Sequence, residues 1–125
     1  MKYDLKSDAD VMADAREYIE SHGWWRGALR GPNGRQVCGL GAILFSQGWS
    51  NSAGNGFMGQ HEEQVTRILN KLLLVTPLDA MDRRWLPGAD FTTWNDHAAK
   101  DKQEVLDVFA KAEKIERNDG IDPDA

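Results

Sequence analysis

Cys38 is the chain's only cysteine, and it opens the run CGLGAILFSQ, whose apolar spacing predicts a short buried helix. A thiol at a helix N-terminus loses its proton more readily because the positive end of the helix dipole stabilises the thiolate, and Arg35 nearby would add to this. A nucleophile also needs a base and a group to orient that base. His61 or His97 could accept the proton and Asn95 or Asp96 could hold the imidazole, in a chain order used by some cysteine hydrolases. Free cysteine is, however, among the most buried residue types, and Val37 and Leu40 suggest that Cys38 faces the core. No residue is therefore assigned as catalytic, and a Cys38-dependent hydrolase or transferase stands as the alternative to a binding protein.

Two further stretches have the letters of a chemical motif without its frame. Gly54 to Val65, GNGFMGQHEEQV, contains G-x-G-x-x-G and runs into a helical pattern. A dinucleotide fingerprint requires a strand feeding the glycine turn and an acidic residue about 20 positions later at the end of a second strand. Here a polar loop precedes the glycines, and Asp79 and Asp82 follow a helix, so Gly54 to Gly59 are expected to form a mobile loop that binds no nucleotide. His61 and Glu62 begin H-E-x-x-H, but Val65 occupies the place of the second ligand, and His22 and His97 are far away in sequence. No metal or other cofactor is expected from these residues.

The charge pattern points elsewhere. The net charge is -5, which argues against a general nucleic-acid binder, yet the forty residues from Ser21 to Gln60 contain no Asp or Glu. That window carries Arg26, Arg30 and Arg35, so it is locally basic in an acidic chain. Trp24 and Trp25 stand beside Arg26, and tryptophan and arginine are the side chains most enriched at interface hot spots. Trp24, Trp25, Arg26, Arg30 and Arg35 are thus the candidate binding residues. The plainer expectation is that one of the two tryptophans points inward as a lid on the first helix.

These residues need elements to position them. Ser7 and Asp8 can cap a helix with apolar positions Val11, Met12, Ala15, Tyr18 and Ile19, which Gly23 ends. WWRGALR, GPNG and RQVC then suggest two short strands around a Pro-Asn-Gly turn, that is, a β-hairpin. The short helix after Cys38 contains Gly39 and Gly41, expected in its first turn or at a close backbone contact. A third helix carries Val65, Ile68, Leu69, Leu72 and Leu73 and stops before Pro77. The next segment reads as irregular, anchored by Trp85, Phe91 and Trp94, with Asn95 and Asp96 closing it through local backbone bonds. Asp101 and Glu104 form a capping box for the last helix, with Val105, Leu106, Phe109, Ala112 and Ile115. The expected fold class is α+β, mainly helical, with about four helices and one short β-hairpin. A single domain spans 1–118, followed by an acidic, frayed tail at 119–125.

With 125 residues and 41% hydrophobic content, one core can form without disulfides, and one thiol cannot make an internal disulfide. No apolar run reaches the length of a membrane span, and the start MKYDLKSDADV lacks a signal-peptide core, so a cytoplasmic protein is expected.

HGWWRGALRGPNGRQVCGLGAI, then TTWND, then the E-V-L-x-x-F-x-K-A helix resemble a family of small uncharacterised proteins of actinobacteria and their phages. The resemblance covers roughly Ala9 to Glu116, and its matching positions are Gly23, Trp24, Gly27, Gly34, Cys38, Gly41, Ala42, Asn95 and Asp96. It implies a cytosolic accessory role, in the host cytoplasm for a phage-encoded chain, and no activity, substrate or cofactor. The combined expectation is a small interaction protein that binds a host or cellular protein through a Trp/Arg-rich hairpin. Nucleic-acid binding through the same basic segment is the second alternative.

Overall fold

A computed structural model describes residues 6–26, 31–32, 34–48, 55–76, 91–97, 99–118 and 120, without the side chains of 55–61, 93 and 97. Five helices carry the fold: α1 (Asp8–His22), α2 (Gly39–Ser46), α3 (Asn55–Val75), α4 (Phe91–His97) and α5 (Lys102–Asn118). The helix ends follow local chemistry. Ser7 Oγ accepts the Asp10 N–H at the start of α1, and Gly23 leaves its end at φ 97°, where a side chain would be strained. Asp101 caps α5 by accepting the Glu104 N–H, while Glu104 reaches back to the Lys100 N–H.

α1 packs most extensively against α5 and α2, and α3 and α4 close the remaining sides. Met12, Ala15 and Ile19 of α1 meet Ile43, Ile68, Leu72, Phe91, Trp94, Val105 and Phe109 in one continuous core. Phe91 is edge-on to Phe109 at 5.6 Å between ring centroids, a favourable arrangement of the two ring quadrupoles. Gly39 makes the α2–α4 approach possible, since a Cβ there would lie 2.3 Å from Phe91 Cε2.

The structure corrects the α+β expectation: the described residues contain no β-strand and no hairpin. The chain does turn back between Gly31 and Gly34, the Gly34 N–H donating to the Gly31 carbonyl at 3.0 Å with Gly34 at φ 75°, while Asn33 lies outside the described residues. Its arms do not continue as a ladder. Gly31 donates to the Gln36 carbonyl, and the chain then leaves the turn to run parallel to the segment after α1. A single parallel bridge joins Trp24 and Val37, through Trp25 N–H to Val37 O and Val37 N–H to Gly23 O. A hairpin requires antiparallel arms, and α2 begins two residues after Val37, so no pairing can extend.

Two other expectations change. Asn55 to Gly59 lie in the first turns of α3, so the glycine motif is mostly helical rather than a loop; Gly54 is outside the described residues. The segment around Trp94 is helical as well: Phe91, Trp94 and Asn95 lie on one face of α4, and all three are fully buried. The anchor Trp85 and the tail at 121–125 lie outside the described residues.

Candidate functional site

Asn95 is the centre of the region that links the sequence's candidate residues. Its Oδ1 accepts both the Trp24 indole N–H at 2.8 Å and the Gly39 backbone N–H at 3.0 Å. Its Nδ2 donates to the Trp25 carbonyl at 3.3 Å and to Asp96 Oδ1 at 3.0 Å. With no solvent exposure and each polar atom bonded twice, the amide ties α4 to the start of α2 and to the segment after α1. Asn95 and Asp96 were expected to make local turn bonds. Asn95 instead bonds residues about seventy positions earlier in the chain.

Cys38 sits beside this amide as the N-cap of α2, its Sγ accepting the Gly41 N–H at 3.3 Å. Burial pushes its thiol above the ordinary cysteine value; the Gly41 N–H pulls part of the way back, and the nearby Asp96 charge adds to the rise. The helix-end effect is therefore present but smaller than desolvation, and the side chain rests as a neutral thiol at neutral pH. His61 falls on α3 and His97 on α4, with side chains outside the described residues. Native Cys38 is expected to react with a thiol reagent such as DTNB at neutral pH at least about 100-fold more slowly than in the urea-unfolded chain. Labelling at the unfolded rate in native buffer refutes this placement.

The binding candidates divide. Trp24 is half-buried with its N–H held by Asn95, and Trp25 is half-buried, with ring atom Cδ2 close to Gly31. Arg26 is exposed, stacked 4.8 Å from the Trp24 ring centroid, and one of its Nη2 hydrogens goes to the Ala99 carbonyl at 2.7 Å. Arg35 is exposed at the glycine turn. Arg30 lies outside the described residues. The inward–outward alternation expected for a strand is absent, because both tryptophans are partly covered by different neighbours.

Residues Trp24, Gly34, Cys38, Gly41, Asn95 and Asp96, noted above for a family resemblance, thus converge on this junction or its turn, and a family comparison decides the membership. The chain belongs to the family of unknown function DUF6197. The family model matches residues 4–115, which include all five helices up to the last turn of α5. No curated protein and no solved structure matches the chain. Among the described residues no helix is long and apolar enough to cross a membrane, and no three His, Cys, Asp or Glu side chains cluster as metal ligands.

A second polar centre of this family member escaped the sequence reading. Asp8, in the first turn of α1, accepts two bonds from Arg67 at 2.7 and 2.8 Å, one from Lys71 at 2.9 Å and one from Gln64 at 3.1 Å. Lys71 also donates to Glu116 at 2.7 Å, so α1, α3 and α5 share one ionic network. Burial alone would raise the Asp8 carboxyl, but Arg67, Lys71 and Gln64 outweigh it and hold the group far below the usual carboxylate range. Burial likewise opposes the Lys71 charge, and Glu116 and Asp8 more than restore it. The only sequence signal was the spacing of Gln64, Arg67 and Lys71 at i, i+3 and i+7 on one helix face.

Proposed function

We propose that this chain is a small protein-binding module whose contact surface is the Trp24–Arg26 segment with the adjoining glycine turn. The observation that carries the reading is Asn95: a fully buried amide anchors an otherwise irregular segment on its inner side, which pre-organises the exposed Arg26 stacked on Trp24. A pre-organised side chain loses less conformational entropy on binding, so a short segment can serve as an interface anchor. The acid-free window around it favours a partner with an acidic surface. A cytoplasmic protein is the proposed partner class, and the actinobacterial or phage setting implied by the resemblance would make it a host protein. Nucleic acid is the weaker choice because the chain as a whole is acidic. The buried, neutral thiol of Cys38 gives no support to the hydrolase alternative.

The test is capture of partners from cell lysate, comparing the wild type with Arg26→Ala, Trp25→Ala and Cys38→Ala. Arg26→Ala is expected to keep the fold and lose about 2 kcal/mol of partner affinity, the size of a hot spot, while Cys38→Ala keeps binding. A partner retained fully by Arg26→Ala and Trp25→Ala sinks the assignment.

A further inference from the structure

Trp25, the central residue of the proposed contact segment, has its main chain fixed on both sides. Its N–H donates to the Val37 carbonyl at 2.9 Å, and its carbonyl accepts from Asn95 Nδ2 at 3.3 Å. What the backbone leaves open is the orientation of the half-buried ring. That ring meets the glycine turn at Gly31. A Cβ on Gly31 would lie 3.1 Å from Trp25 Cδ2, 2.9 Å from Gln36 Oε1 and 3.1 Å from Gln36 Cβ, so the indole and the Gln36 side chain close over the same bare α-carbon.

Backbone conformation does not demand a glycine here. Gly31 is not among the glycines held at positive φ, and it precedes Pro32, a position that favours extended backbone open to any side chain. The missing Cβ therefore serves space rather than conformation. The turn is also unable to back away easily, because Gly31 is buried and its N–H is bonded to the Gln36 carbonyl at 2.8 Å. Gln36 is wedged on its other side, where its Cγ would lie 2.9 Å from a Cβ on Gly23, the residue leading into the contact segment.

We infer that Gly31 is the positioning residue for the Trp25 ring: with the main chain of Trp25 held by Val37 and Asn95, the bare α-carbon at position 31 decides how the indole is presented to a partner. This rests on the reading of the Trp24–Arg26 segment as the contact surface, and it names a residue outside the segment that controls recognition by it. A ring held in one orientation loses little freedom on binding, so displacing it weakens binding although no contact with the partner has been removed.

Fluorine NMR of the full chain labelled with fluorotryptophan reads the ring without any partner. The chain has five tryptophans, and Trp25→Phe and Trp94→Phe identify the resonances of those two. Gly31→Val should move the Trp25 resonance and leave that of the buried Trp94 in place. Gly31→Ala should move it less, since a single methyl needs its neighbours to give by only a few tenths of an ångström. Affinity for the partner captured by the wild type should fall about tenfold in Gly31→Val, with circular dichroism showing that the chain remains folded. Should the valine variant fail to fold, Gly31→Ala carries both measurements. A Trp25 resonance that neither substitution moves overturns the proposal. Full affinity in Gly31→Val, when Arg26→Ala has lost the partner, also overturns it and leaves the contact surface standing. A partner kept by Arg26→Ala and Trp25→Ala sinks the contact surface instead, and a Trp25 resonance moved by Gly31→Val then still upholds the hold of Gly31 on the ring.

Discussion

Asn95→Leu is expected to destabilise the protein by about 4 kcal/mol, seen as a lower urea midpoint with an unchanged slope. Leucine fills a similar volume but makes none of the four hydrogen bonds. The Gly39 N–H, buried at the start of α2, then has no acceptor, the Trp24 indole N–H loses its acceptor, and the Trp25 carbonyl loses the donor that Asn95 Nδ2 supplied. Each buried group left unpaired costs about 1–3 kcal/mol, and the half-buried indole can recover part of this through water. Asn95→Asp retains an acceptor for Trp24 and Gly39 but gives up the Nδ2 donors and places a second carboxylate against Asp96, so its midpoint should fall between those of wild type and Asn95→Leu. A midpoint for Asn95→Leu within about 1 kcal/mol of wild type shows that the junction does not depend on this amide.

Asp8→Ala is expected to cost about 3 kcal/mol, the low end for removing one partner of a buried ion pair. Lys71 remains nearly buried and keeps only Glu116, whereas Arg67 is exposed enough to regain water. The same carboxylate has a pH signature. It titrates near pH 4 in the unfolded chain and well below that when folded, so its contribution is fully present above about pH 5 and declines progressively as acid is added through pH 4 and below. Wild-type stability should therefore fall faster than that of Asp8→Asn between about pH 5 and pH 2, and the two should converge at the acid end. Parallel pH–stability curves refute the role of Asp8.

Local chemistry explains why four of the helices could be found without a structure. Ser7, Gly23, Asp101 and Glu104 act through bonds within a few residues, and the apolar faces of α1, α3 and α5 repeat at the helical period over four or more turns. The GPNG turn was legible for the same reason, because a turn is closed by its own four residues. α4 was not. Its seven residues are too few for a periodic signal, and its Thr, Asn and Asp favour turns in isolation, so burial of Phe91 and Trp94 against the other helices decides its form.

The site divides along the same line. Residue types alone singled out Cys38, Asn95, Asp96, Trp24 and Arg26, and the sequence by itself determined the helix caps, the glycine turn and the acid-free basic window. What it could not determine was pairing over long separations. Whether the chain after GPNG pairs back on its own arm or runs parallel to Trp24 depends on where α2 docks. The choice between a thiolate and a neutral thiol at Cys38 depends on how deeply the folded chain buries it, and desolvation there exceeds the helix-end effect. Asp8 and Lys71 are unremarkable surface types until packing places them 2.9 Å apart in the interior. Capping, turns and charge runs are short-range and additive along the chain, whereas burial and hydrogen-bond partnership arise only when distant segments exclude water from the same place, and for this protein that step was taken by the tertiary structure.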